Sequence, residues 1–490
     1  MEISDINGKR QPALKIFSLT INRLKQHLLS DFDRRGIPYK NDDIHWVITV
    51  PAIWTDAAKQ FMREAANEAG IKNHQLSLAY EPEVAALYCK LLPPDKLGGI
   101  DSGDVFSTGK QFMVLDLGAN YFIFLWNCRR YRSGSHRKKR DSGRYTDQLE
   151  GLGEGMKVDS EFYQFLVKFF GNDLLFEYSQ NDMSEYLEIL RSFERKKKCI
   201  STLDTNEMNL RLPPELLETL KDKTGFTLQE IISQSNYNDS VSVKRSKLTI
   251  NDYVCKSFFT KVLQDITEHV KFILKQCFDI SLILMVGGFS ESPIVIDTIR
   301  QSFPNMNVII PTQARMSVLF GSVVYGHDPE QIDARICRYS YGIALHKEFK
   351  DEEHPENKSF YSDGRKRVDD CFLKLYTINE IVKVGEKRSF PVHDTHIEAD
   401  RQQWRREHKE IEVYASTDTD PKFITDEGCF ILGTILVPPP ACGLWPVRVR
   451  GKIEMEIGGT EIIVTYIDNQ SHISSRMDFM GICNKTDVKC

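Results

Sequence analysis

The chain has 490 residues, 41% of them hydrophobic and 27% charged, with a formal net charge of −5 at pH 7. It is long enough for roughly two to four domains and a large buried core. Its charge gives no global attraction to nucleic acid or to acidic membranes, and no stretch of about 18 uncharged apolar residues marks a membrane span.

The opening residues MEISDINGKR lack the charged-then-apolar pattern of a secretory leader. Eleven cysteines are scattered from Cys89 to Cys490 with no CxxC pair. Both features predict a cytoplasmic protein with reduced, mostly buried thiols. In that setting the N-x-S/T tripeptides at Asn357, Asn469 and Asn484 carry no weight.

Residues 1–39 read as a helical lead-in, with Leu19, Ile21, Leu24 and Leu28 on one apolar face. Val47–Val50 is an apolar, β-branched run that predicts a buried strand region at 44–50, closed by Pro51. Thr55 is a helix N-cap candidate. Ala58, Phe61, Met62, Ala65 and Ala69 then recur at helical spacing up to Gly70, where a C-cap is expected. Tyr80-Glu81-Pro82-Glu83 predicts an acidic helix start, with Pro82 in the first turn. Residues 94–110, rich in Gly, Asp and Ser, read as a surface loop. A second strand is expected at 112–118 and mainly helices at 156–235. An amphipathic helix at 252–278 carries Val254, Phe258, Val262, Ile266, Ile273 and Phe278 near one stripe. A strand at 281–286 follows, ending on Gly287-Gly288.

After about residue 335 strand-like runs dominate, at 411–415, 430–437, 447–457 and 461–467, with a charged segment at 393–410. The chain therefore divides, on sequence, into an α/β domain at 1–335, a connecting segment at 336–374 and a β-rich domain at 375–490. No internal sequence repeat is visible. The run Arg129–Arg140 holds seven Lys or Arg. It reads as a solvated hairpin loop, with a nuclear-localisation or nucleic-acid patch as the alternative.

The block Trp46–Gly70, the sequence Leu284-Met285-Val286-Gly287-Gly288-Phe289-Ser290-Glu291-Ser292-Pro293, the pieces Ile309-Ile310-Pro311 and Phe320-Gly321-Ser322-Val323, and Phe423-Ile424-Thr425-Asp426-Glu427-Gly428 are spelled like one family. Together they resemble the seventy-kilodalton heat shock proteins, and most of all their divergent 12A/12B branch. The resemblance runs over nearly the whole chain. It implies an actin-like (ribonuclease H-like) ATPase domain followed by a β-rich substrate-binding-like domain, with ATP or ADP and Mg²⁺ as ligands. The family begins with a strand and an Asp-x-Gly-Thr-Thr phosphate loop. No such pattern precedes residue 46, so the expectation is an N-terminally incomplete nucleotide domain.

The resemblance also assigns roles to residues. Asp116-Leu117-Gly118-Ala119-Asn120-Tyr121 occupies the place of the family's Asp-x-Gly-Gly-Gly-Thr. Asp116 then holds the Mg²⁺ shell and the attacking water, and Gly118 approaches phosphate. Ala119, Asn120 and Tyr121 depart from the pattern, and Ile123 replaces a second Asp. Side chains at the two glycine positions restrict the backbone and crowd the phosphates. On the residues alone, Asp116 is equally a capping Asp at a buried strand end.

Ser192–Cys199 is by itself a solvated, charged helix. It resembles the family's Glu-Arg-x-Lys-Arg helix, which assigns Glu194, Lys197, Lys198 and, one turn on, Ser201 to the adenosine. Gly287 and Gly288 are matched to a close backbone approach to the nucleotide, followed by Phe289 and Ser290. The commoner branch of the family has an adenine-stacking Arg near here, and this chain has Phe289-Ser290-Glu291 instead. Glu81 is matched to a carboxylate near Mg²⁺, and Pro82 to the relay between nucleotide and partner domain.

The functional expectation is a chaperone-related, nucleotide-controlled module for client or signalling proteins, with an impaired ATPase. The alternative is a pseudo-ATPase scaffold that binds protein partners and no nucleotide. A sugar kinase on the same superfold needs a sugar-facing catalytic Asp and an intact first phosphate loop, and neither is found. The chain ends Asp487-Val488-Lys489-Cys490, so co-chaperones that read an acidic tail are not expected.

Overall fold

The computed structural model describes residues 1–4, 8–98, 106, 110–118, 121–127, 141–145, 154–203, 207–276, 280–362, 364–395, 405–440, 442–469 and 474–479. Ala119, Asn120 and the basic run 129–140 lie outside them, and for 121–127, 141–145 and 154–156 only the backbone is described.

In chain order the first elements are β1 (Glu2–Ser4), β2 (Arg10–Pro12), α1 (Ala13–Arg35), β3 (Trp46–Val50), α2 (Asp56–Glu68), β4 (Leu76–Tyr80) and α3 (Glu81–Leu91). Next come β5 (Gln111–Leu117), β6 (Tyr121–Asn127), β7 (Asp141–Tyr145), α4 (Glu154–Phe170), α5 (Asn172–Asn181) and α6 (Met183–Lys197). They are followed by β8 (Met208–Arg211), α7 (Pro214–Thr224), α8 (Leu228–Ser233), β9 (Val241–Lys244), β10 (Lys247–Ile250) and α9 (Asp252–Gln276). Then come β11 (Ile280–Val286), α10 (Pro293–Ser302), β12 (Asn307–Ile309), α11 (Ser317–His327) and β13 (Ile332–Ile336). The remaining strands are β14 (Ser340–Glu348), β15 (Ser359–Ser362), β16 (Arg365–Tyr376), β17 (Ile381–Lys383), β18 (Lys387–Thr395), β19 (Lys409–Ser416), β20 (Cys429–Val437), β21 (Arg448–Glu456), β22 (Ile463–Asp468) and β23 (Ser474–Phe479).

These elements fall into two compact units that interleave along the chain. One holds Met1–Tyr80, Tyr131–Tyr145 and Tyr325–Cys490; the other holds Glu81–Arg130 and Thr146–Val324. No described helix is long and apolar enough to cross a membrane.

In the first unit, β3 and β4 pair in parallel, with Val50 opposite Tyr80. The crossover helix α2 starts at an N-cap, where Thr55 Oγ1 accepts from the Ala58 N–H at 3.2 Å. Helix α1 packs against α2 through the edge-on pair Phe17–Phe61, ring centroids 5.4 Å apart. Nine strands of the same unit form one sheet, in the order β15-β16-β14-β19-β20-β23-β22-β21-β18, with every pairing antiparallel. Residues 336–374, expected as a connector, contribute β14, β15 and most of β16 to it. Trp445 is fully buried in its core, and its indole N–H donates to the Glu407 carbonyl at 3.0 Å.

A buried polar cluster ties the α2–β4 layer to the turn after β21. The ammonium of Lys59, 5% exposed, donates to the Tyr80 hydroxyl and to the Thr460 carbonyl, each at 2.9 Å, and pairs with Asp56 at 2.5 Å. The Tyr80 hydroxyl also donates to Thr460 O at 3.0 Å, and Arg335 donates to Gly458 O at 2.8 Å. Burial works against the Lys59 charge, yet Tyr80 and Asp56 hold its pKa above the ordinary lysine value. One helical turn on, Arg63 grips Glu461 with two hydrogen bonds.

The second unit is built on a sheet in which β12, β11, β5 and β6 are neighbours in that order. β11 lies between β12 and β5 and runs parallel to both, and β5 pairs antiparallel with β6. Its main core clusters aromatic rings of α4, α6 and α9, including Phe162 stacked on Phe193 at 3.9 Å and edge-on to Phe258 at 6.0 Å. Helices α3 and α11 touch backbone to backbone: a Cβ built at Gly321 would lie 1.8 Å from the Val84 carbonyl oxygen.

Substitution Lys59→Met should cost about 3 kcal/mol, because it strands the Asp56 carboxylate and removes one hydrogen bond from each of the Tyr80 and Thr460 oxygens. Urea unfolding followed by tryptophan fluorescence measures this; an unchanged midpoint would mean that the cluster contributes nothing.

Candidate functional site

Two strand ends of the second unit form the site. Parallel pairing of β5 with β11 sets Val286 opposite Asp116, so both strands end side by side. Beyond β11 the chain turns at Gly287 with φ +86°, a conformation that suits glycine. A Cβ there would lie 2.4 Å from the Leu117 carbonyl oxygen and 2.8 Å from Asp116 Oδ1. Gly287 is therefore required both by its conformation and by the closeness of the neighbouring strand. Gly288 is exposed, and Gly118, just past β5, is half-buried.

Asp116 is 4% exposed at the end of β5. Burial, together with the nearby charge of Glu81, pushes its pKa up to about 7. Glu81, the first residue of α3, is likewise pushed up to about 7 by burial. Neither carboxylate forms an ion pair with a described residue. Two desolvated acids without a protein counter-charge fit a divalent cation, which discharges both. Among the described residues no group of three or more His, Cys, Asp and Glu comes together. A Mg²⁺ ion held here would complete its shell with water and phosphate oxygens, its ordinary habit. Pro82 is buried in the first turn of α3.

The remaining predicted residues divide into those turned inward and those left open. The Ser290 hydroxyl is fully buried and donates to the Val286 carbonyl at 2.6 Å. Phe289 stacks on Phe259 with centroids 6.1 Å apart, and so serves the core. Lys197 is 5% exposed and pairs with Asp159 at 2.6 Å and with Glu194. Lys198 is open and pairs with the second Glu194 oxygen at 3.0 Å. Burial works against the charge of Glu194, but these lysines hold its pKa below the ordinary value.

The end of α6 is fastened to the region of the Gly-Gly turn. The Ile200 carbonyl accepts from Ile294 N–H at 3.0 Å, and Thr202 Oγ1 donates to Asp297 at 2.5 Å. Both partners lie on α10, which follows that turn. Ser201 lines a cavity of about 240 Å³ together with Arg195, Lys196, Cys199, Glu207 and Asp252.

Sequence reasoning missed Arg315. It lies in the short helical turn Ala314–Met316, whose Ala314 carbonyl accepts from Gly287 N–H at 3.1 Å. No motif marks it; only the fold brings it to Gly288.

Residues 20–309 match the family model described as Hsp70 protein. The chain belongs to the Hsp70 family. The match covers more than half of the chain and includes both strand ends, so the second unit's sheet and helices are part of the family's actin-like ATPase fold, with the large β-rich sheet in the C-terminal part. The chain is 26% identical over 531 aligned residues to heat shock 70 kDa protein 12A of Mus musculus and of Homo sapiens, covering 98% of this chain and 77% of each relative. It is 25% identical to heat shock 70 kDa protein 12B of Homo sapiens, with the same shares covered. The expected resemblance to the 12A/12B branch of the Hsp70 family holds.

A carboxyl whose pKa is raised on folding binds its proton more tightly in the folded state. It weakens the fold as pH rises from about 4 to beyond 7, and is neutral below that window. Without metal, Asp116→Asn should therefore stabilise the protein at about pH 8, by about 2 kcal/mol, with the gain shrinking toward pH 5. Thermal melts at both pH values measure this, and an equal change at both would contradict the raised pKa.

Proposed function

We propose that this protein is an Hsp70-like nucleotide-binding module with an impaired ATPase, whose nucleotide state controls the binding of client or signalling proteins in the cytoplasm. The observation that carries this reading is the seating of Gly287 against Asp116 Oδ1 and the Leu117 carbonyl, with Glu81 coupled to Asp116. A metal-bound diphosphate needs such an arrangement: carboxylates for the cation, and a backbone stripped of side chains for the phosphates. This reading turns the adenosine toward the end of α6, where Glu194, Lys198 and Ser201 are the contacts it assigns from the resemblance to the family's motif. Pro82 begins the relay that carries nucleotide state toward the β-rich sheet.

Hydrolysis is placed low because Ala119, Asn120 and Tyr121 stand where the family pattern has Gly-Gly-Thr. Phosphoryl transfer depends on positioning and charge stabilisation from every part of such a loop. A pseudo-ATPase scaffold that binds no nucleotide is the competing reading. It draws support from the inward-turned Ser290, Phe289 and Lys197, whose polar groups or rings already serve the fold.

Calorimetric titration with MgADP and MgATP separates the two. We expect micromolar binding of both, with ATP turnover at the level of a protein-free control. No binding heat, and no thermal shift at millimolar nucleotide, from folded protein would establish the scaffold reading instead.

A further inference from the structure

We propose that Arg315 binds the phosphate groups of the nucleotide over the Gly287–Gly288 turn. The inference rests on the nucleotide reading above and adds a residue that the family motifs do not assign. Its first support is position. A Cβ built at Gly288 would lie 3.8 Å from the Arg315 Cβ, so the arginine stem stands beside the exposed, side-chain-free face of the turn. Two hydrogen bonds hold its backbone there: Gly287 N–H donates to the Ala314 carbonyl, and Arg315 N–H to the Glu291 side-chain Oε1, each at 3.1 Å. Gln313, two residues before it, takes a left-handed conformation, φ 64°, uncommon for a side chain of that size.

The second support is charge. Asp116 and Glu81 are both acidic, and Glu291 adds a third carboxylate beside the turn. Mg²⁺ would discharge Asp116 and Glu81, which leaves the charge of Glu291 and of the phosphates themselves to be met by a second cation. Arg315 is exposed and forms no ion pair with a described residue. Its planar guanidinium offers five N–H donors in a fork that matches phosphate oxygens. Glu291 fixes the backbone of Arg315 while the side chain stays available.

The test compares MgADP and adenosine, which share the base and sugar and differ in the phosphates. Wild type, Arg315→Ala and Arg315→Lys are titrated with each, and Arg300→Ala, an exposed arginine near the end of α10, controls for loss of one positive charge. The alanine variant should weaken MgADP roughly tenfold or more, and leave adenosine affinity and the thermal melt unchanged. Lysine should recover part of the loss, and Arg300→Ala should bind as wild type. Equal MgADP affinity in wild type and Arg315→Ala overturns the proposal while the nucleotide reading stands. Equal weakening of adenosine also overturns it. A wild-type protein that binds neither ligand overturns the nucleotide reading, and this inference with it.

Discussion

Parallel pairing between β5 and β11 is the constraint on which the candidate site depends. The two strands are separated in sequence by the whole helical region from α4 to α9, yet their register puts Val286 opposite Asp116. Parallel strands emerge at the same edge of a sheet, so the loops after both face the same space. Side chains alternate along a strand, and a slip of one residue would turn Asp116 to the other face. What fixes the register is burial: Met113, Leu115, Ile283 and Met285 are all fully buried in one core cluster with α4, α6 and α9. The chemistry of the site is thus held by apolar packing some distance from it.

The acids at this edge carry a cost that the apolar core must cover. A carboxylate removed from water without a partner opposes folding. Such groups persist where something else uses them, which is why perturbed carboxyls so often mark functional sites. The Lys59 cluster of the other unit shows the contrasting arrangement. There a buried charge is met at once by Asp56, Tyr80 and Thr460, and the result is a structural tie between α2 and a turn that lies 401 residues along the chain.

Local signals account for what was legible in the sequence. The strand, N-cap and helical spacing of residues 46–70 follow from side-chain periodicity, and β3 and α2 appear where those signals place them. The same holds for α9, β11 and the Gly287-Gly288 turn. The later strands β19, β20, β21 and β22 also fall close to their predicted spans. The hairpin of β1 and β2 was missed, since three-residue strands leave too short a pattern to read. The strands in 340–376 were hidden for another reason. They mix charged residues with apolar ones, as in Arg365-Lys366-Arg367-Val368-Asp369-Asp370, and their strand character comes from neighbours distant in sequence. The inward turn of Lys197 was equally invisible, because Asp159 lies a helix away.

The backbone contact between Gly321 and Val84 has a mechanical consequence. Helix α3 begins with Glu81, and α11 begins directly after the turn that holds Arg315. With no side chain between them at the crossing, the two helices cannot slide without driving a carbonyl into a Cα. The Glu81 end of α3 and the Arg315 turn before α11 are therefore seated on one closely packed crossing.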